Sequence, residues 1–188
     1  QLAGGRRLGG LDPWLRPDGA IHVLVEVIRC RGRADRQEVR LLRLLLRLRL
    51  RLAKGIPLIV DNTAAPVTCR PFDHGAAVIV HSLTKFIGGH GTSIGGIIID
   101  SGNFDWLEYP DQQPNFNTPD GSYHGAIWGS LVPEALGAPI AYAIRARVVL
   151  LCDLGQALSP FNAFQLIQGL ETLPLRFNKH QENAEKLT

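Results

Sequence analysis

The sequence predicts an α/β protein with a mostly parallel sheet flanked by helices. Three observations carry this. Residues 56–60, 77–80 and 97–99 are short runs rich in branched apolar side chains, with the length of buried strands. Longer stretches with apolar residues three and four apart lie on either side of them. At Lys54-Gly55-Ile56 a helical pattern ends, a glycine intervenes and a strand begins, which is the rhythm of a parallel sheet with crossover helices. A chain of 188 residues with 45% hydrophobic content is large enough to bury a core.

Taken in order, residues 1–19 are rich in Gly, Arg and Pro and read as irregular, and residues 20–27 read as a strand. Residues 36–54 read as a helix. Arg33, Arg36, Arg40, Arg43, Arg47, Arg51 and Lys54 form one stripe, and leucines fill much of the rest. Gly55 is placed to be its C′ residue. The strand from Ile56 follows. Pro66 and Pro71 mark a connection, with a short helix before Gly75, and a second strand spans 77–81. A glycine-dense loop at 88–96 leads to a third strand ending at Asp100. Residues 101–124 carry Pro110, Pro114 and Pro119 with little periodicity, and predict a long surface loop. Helical patterns occupy the chain from about 125, through 138–158 and 162–173, and end in a polar amphipathic helix at 178–187.

The net charge of +3 hides a division. Residues 29–54 hold ten basic and two acidic side chains, whereas residues 55–188 hold seven and twelve. The basic stripe admits three readings: a nucleic-acid or acidic membrane surface, a solvated helix face, or a sequence artefact. No aromatic side chain interleaves it, which argues against single-strand stacking. Cys30, Cys69 and Cys152 give neither a CxxC pattern nor a disulfide framework, so a reducing cytoplasm is expected. The absence of methionine, even at position 1, suggests a fragment of a longer product.

The chemistry concentrates at the strand ends. The strand at 56–60 runs into Asp61-Asn62-Thr63, and the next runs into His81-Ser82-Leu83-Thr84-Lys85-Phe86. An acid at the end of one strand and a lysine just past the end of its neighbour can face one crevice, where open α/β sheets bind ligands. Ser82 and Thr84 offer hydroxyls to a phosphate, and an amine buried beside cationic character becomes nucleophilic. The set suits a lysine Schiff base to pyridoxal phosphate, with Asp61 holding the pyridine nitrogen protonated. Residues 88–96 match neither a P-loop nor a dinucleotide fingerprint and otherwise read as a tight, flexible connection. His81 and His90 lack partners at metal-ligand spacing, so structural roles are expected and no metal site is assigned. His124 is a candidate loop-borne polar contact.

From Gly55 onward these motifs resemble the Cys/Met-metabolism family of pyridoxal phosphate enzymes. The residues are Ile56-Pro57-Leu58-Ile59-Val60-Asp61-Asn62-Thr63, His81 through Thr92, Asp100-Ser101-Gly102, Pro119-Asp120-Gly121-Ser122-Tyr123-His124-Gly125, Leu158 through Phe164, and Gly169-Leu170-Glu171-Thr172-Leu173. Gly88-Gly89-His90-Gly91 is similar to the O-acetylhomoserine sulfhydrylase branch, more than to the cystathionine γ-synthases and γ-lyases, which stand as the alternative. The resemblance implies part of a fold type I, aspartate-aminotransferase-like large domain over 55–188. Lys85 would be the cofactor-bearing lysine and proton shuttle, Asp61 would pair with the ring nitrogen, and Ser82 and Thr84 would bind the phosphate. It implies γ-replacement on O-acetylhomoserine by sulfide or a thiol, a homo-tetramer, and neither membrane nor nucleic-acid partners.

Residues 1–54 match the family poorly and read as an atypical N-terminal segment. The Asn-Pro expected after Glu26 is replaced by the region around Arg29 and Cys30. The small C-terminal domain, with its carboxylate-binding arginine, is expected beyond Thr188. A non-catalytic remnant bearing a basic helix is the reading from a different class.

Overall fold

The computed structural model describes residues 54–187. The strand expected at 20–27 and the basic helix expected at 36–54 lie outside the described residues, apart from Lys54 at the latter's end. Gly55 has φ +70°, the left-handed conformation that a C′ residue takes.

Three strands form one sheet in the order β1 (Ile59–Asp61), β2 (Val78–Ser82), β3 (Gly96–Asp100). β1 and β2 are parallel, with Asp61 opposite Val80, and their crossover carries a 3₁₀ turn, Pro71–His74, where a short helix was expected. β2 and β3 are antiparallel, with Ser82 opposite Gly96. The expected mostly parallel sheet is therefore mixed among the described strands. The cause is local: with no helix between β2 and β3, the glycine-rich loop folds back on itself, and Leu83 N donates to Gly95 O at 2.9 Å.

Alternation along β1 and β2 divides the core. Ile59 and Val78 face an aromatic cluster, while Leu58, Val60 and Ile79 pack with Ala76 and Phe72 on the other side. The aromatic cluster corrects one expectation. The segment 101–124 is no simple surface loop, because it supplies buried Phe104, Trp106 and Phe116. The Trp106 ring lies 4.7 Å from Phe104, 4.3 Å from Phe116 and 5.5 Å from Tyr142. Aromatic residues without helical or strand periodicity gave the sequence no signal of burial.

Helices cover this cluster. They are α1 (Pro114–Asn117), α2 (Trp128–Leu136) and α3 (Ala141–Arg145), the last continuing through a π-helical stretch, Ala146–Leu151, into Cys152–Leu154. Asp100, at the end of β3, accepts from Ala143 N at 3.2 Å and so ties α3 to the sheet. α4 (Pro160–Glu171) begins at Ser159, whose Oγ accepts from Asn162 N at 3.1 Å. α5 (Leu173–Leu187) follows almost at once. Among the described residues no single helix is long and apolar enough to cross a membrane.

The Pro119–Gly125 stretch is held by one carboxylate. Asp120 Oδ1 accepts from Ser122 N at 3.0 Å, and Oδ2 accepts from the indole N–H of buried Trp128 at 2.9 Å. His124 closes this turn with φ +56° and is exposed, so it serves the turn's backbone. Replacing Asp120 with Ala removes a cap and orphans a buried donor. We expect Asp120→Ala to cost about 2 kcal/mol, and Asp120→Asn clearly less, read from urea unfolding midpoints at unchanged slope.

Candidate functional site

The expected site residues sit at the C-terminal edge of the parallel pair. Asp61 ends β1, and its Oδ1 accepts from Thr63 N at 3.0 Å. Thr63 Oγ1 in turn accepts from Ser82 N, at the end of β2, at 2.7 Å. A hydroxyl thus joins the two strand ends, and Asp61 and Ser82 lie on one edge of the sheet. Asn62 N donates to Val80 O at 3.0 Å, and the buried Asn62 amide donates to Cys69 O at 3.0 Å, fixing the turn beyond β1.

Lys85 follows in a run of turns from Leu83 to Gly88. Gly88 N donates to Leu83 O at 2.7 Å, and Gly89 N to Lys85 O at 2.8 Å, which makes a short helix-like coil. The Lys85 side chain is exposed rather than buried as expected.

Thr84 does something the motif did not predict. Its hydroxyl accepts from Gly95 N at 3.1 Å and lies 3.3 Å from Gly95 O, so both arms of the loop are clamped through it. His81 is buried next to the strand crest, and its Nδ1 has no hydrogen-bond partner among the described residues. Burial lowers its pKa from the ordinary 6.5, while the nearby Asp61 charge and the Asn62 backbone oppose the shift. His90 Nδ1 lies 2.6 Å from Gly88 O and holds the far end of the coil. Among the described residues no cluster of His, Cys, Asp and Glu could hold a metal ion.

The glycines of this loop have steric reasons. α4 lies directly against it: a Cβ on Gly169 would fall 2.3 Å from Gly88 O and 2.6 Å from Ile87 O. A Cβ on Gly88 would fall 2.7 Å from Leu83 O. Gly89, at φ +71°, leaves room for the guanidinium of Arg176, which its Cβ would meet at 2.1 Å. Ser93, buried on the other arm, donates to Gln165 of α4.

Arg176, on α5, escaped the sequence reading. Its Nη1 donates to Phe86 O at 2.8 Å, and its Nη2 to Ile87 O at 3.0 Å and to Gly169 O at 2.6 Å. Its Nε donates to Thr172 Oγ1 at 3.1 Å. The neighbouring Phe177 and His180 meet the Phe86 ring edge-on, at 5.3 and 5.7 Å. The available signal was the spacing of Gly169, Thr172 and Arg176, which places them along one helical face.

Comparison with known proteins places this arrangement. The profile of Cys/Met metabolism PLP-dependent enzymes matches residues 47–188. The chain belongs to this family. It is 53% identical over 138 residues to an O-acetyl-L-homoserine sulfhydrylase of Leptospira meyeri, covering 71% of this chain and 30% of that protein. It is 51% identical over 135 residues to a homocysteine/cysteine synthase of Saccharomyces cerevisiae, covering 71% and 29%. A solved Campylobacter jejuni chain assigned as an O-acetylhomoserine (thiol)-lyase, bearing a pyridoxyl-lysine phosphate group, superposes with a TM-score of 0.67 at 43% identity. That superposition covers 76% of this chain and 34% of the other. The chain thus spans about 30% of the length of the curated relatives it matches. The fold is part of the fold type I large domain, as expected.

The lowered His81 pKa has a sign. The unfolded chain binds a proton at His81 more readily than the folded one, so this contribution to stability is complete above pH 6.5 and is lost as the pH falls toward the lower folded value. The unfolding midpoint should therefore drop on acidification below 6.5. In His81→Gln that slope should flatten, measured by urea titration across the window.

Proposed function

We propose that the protein containing these residues catalyses γ-replacement on O-acetylhomoserine. Acetate leaves Cγ, and sulfide or a thiol takes its place, giving homocysteine or methionine. The observation that carries this is the joined crest of β1 and β2, with Asp61 and Ser82 on one edge and Lys85 in the next turn, in a chain 53% identical to an O-acetylhomoserine sulfhydrylase.

The donor set fits pyridoxal phosphate. Asp61 Oδ1 is held by Thr63 N, and Oδ2 has no hydrogen bond among the described residues, so it can face a protonated ring nitrogen. Ser82 Oγ and the loop N–H groups would hold the phosphate. The Thr84 hydroxyl, engaged with Gly95, would serve mainly by setting the loop beside it. When bound, the cofactor supplies an electron sink that acidifies the bond from Cα to hydrogen. Lys85 Nζ would anchor it covalently, take the Cα proton and move protons at Cβ as acetate leaves. An exposed amine on a fixed backbone suits this shuttling, because the side chain can swing while its origin stays put.

The homo-oligomeric state, a tetramer in this reading, and a cytoplasmic location belong to the same proposal. Phe161, Phe164 and Ile167 on α4 are more than half exposed, which supports association. The dispersed cysteines support a reducing compartment. The division 1–54 against 55–188 is retained in it, with a separate small domain completing the enzyme.

The test is to add pyridoxal phosphate to the chain, reduce with borohydride and map the adduct by peptide mass spectrometry. A pyridoxyl group on Lys85, absent in Lys85→Ala, is the expected result. Labelling that is absent, or scattered over several lysines, would overturn the assignment of the site. In the complete enzyme, acetate release driven by sulfide is expected, and release driven only by cysteine would favour a cystathionine γ-synthase.

A further inference from the structure

We infer that Arg176 is a positioning residue for the lysine loop, fixing the main chain from which Lys85 projects; the inference rests on the functional reading above. The turn after β2 ends like a helix, with carbonyls that lack partners of their own. Gly88 N and Gly89 N close back onto Leu83 O and Lys85 O, which leaves the carbonyls of Phe86 and Ile87 pointing onward. α4 ends in the same way beside it, and Gly169 O is one of its terminal carbonyls.

One guanidinium serves both ends. Its planar fork reaches Phe86 O, Ile87 O and Gly169 O at 2.8, 3.0 and 2.6 Å, and Thr172 Oγ1 orients it from behind at 3.1 Å. A fixed fork can satisfy several diverging acceptors together, which an ammonium group cannot. Arg176 is half-buried, and among the described residues no carboxylate forms an ion pair with it. Its positive charge therefore lies against the negative ends of two turns. An arginine serving α4 alone would need neither the Phe86 nor the Ile87 contact, which lie 90 and 89 residues away in sequence. The glycines agree with this role. Gly89 and Gly169 are the positions where a Cβ would push the guanidinium or α4 off the loop.

The consequence concerns the reactive amine. Phe86 is the residue after Lys85, so the Arg176 contacts fix the backbone immediately on its C-terminal side. The Thr84–Gly95 clamp fixes the other side. Lys85 then has freedom in its side chain and little in its backbone.

Two measurements on the full chain test this, using Arg176→Ala, Arg176→Lys and Thr172→Val. The first is amide hydrogen exchange without cofactor. Arg176→Ala should speed exchange at residues 86–90 at least tenfold and change β1 and β2 less than twofold. Arg176→Lys, which keeps the charge and loses the fork, should show most of that effect, and Thr172→Val a smaller part. The second is the yield of pyridoxyl adduct on Lys85 after borohydride reduction, which should fall in the same order. If Arg176→Ala does not fold, Arg176→Lys and Thr172→Val decide. Exchange that rises equally over the whole sheet, or Arg176→Lys equal to wild type in both measurements, would overturn the positioning role alone. A wild-type chain that gives no Lys85 adduct would overturn the functional reading and this role with it.

Discussion

Main-chain carbonyls organise the lysine loop, and the interaction on which the rest depends is the meeting of Arg176 with those of Phe86, Ile87 and Gly169. Buried or half-buried carbonyls must find donors, and a charged donor binds them about twice as strongly as a neutral one. Once a guanidinium occupies that space, Gly89 and Gly169 follow, because any side chain there would collide with it or with the backbone it holds, while Gly88 is confined by Leu83 O and Leu166. α4 can then lie against the loop, Ser93 can reach Gln165, and the Phe86 ring can settle between Phe177 and His180.

A second constraint acts on the sheet side. Thr63 and Ser82 join two strand ends that the β1–β2 register has already brought level. The acid and the lysine turn therefore occupy one edge by topology, and the hydrogen bond removes the remaining slack. His81 lies under this edge as a buried ring, where burial disfavours its charged form and the nearby Asp61 opposes that shift. The aromatic cluster on the opposite face of β1 and β2 supports the edge from behind through Ile59 and Val78.

Much of this was legible in the sequence because it is local. Branched apolar runs marked β1 and β2, and the polar residues at their ends marked the crest. The Ser159-Pro160 pair appeared where a helix start needs it. Other features left weaker traces. The antiparallel turn into β3 follows from hydrogen bonds across the loop, and residue type carries little of that information. Phe104, Trp106 and Phe116 are core residues on irregular backbone, so no period announced them. Arg176 binds carbonyls, which every residue possesses, so beyond its spacing from Gly169 and Thr172 its partners left no sequence signature.

The distances along the chain have a temporal meaning. The Thr84–Gly95 clamp closes over 11 residues, whereas Arg176 reaches a carbonyl 90 residues earlier. At the ordinary pace of synthesis, about 5–20 residues per second, the second contact becomes available roughly 4 to 16 seconds after the first. A nascent chain therefore makes its lysine hairpin first and carries it half-finished until α5 emerges. During that interval the loop's carbonyls face water and its glycines are free, so the loop is completed by a helix made well after it.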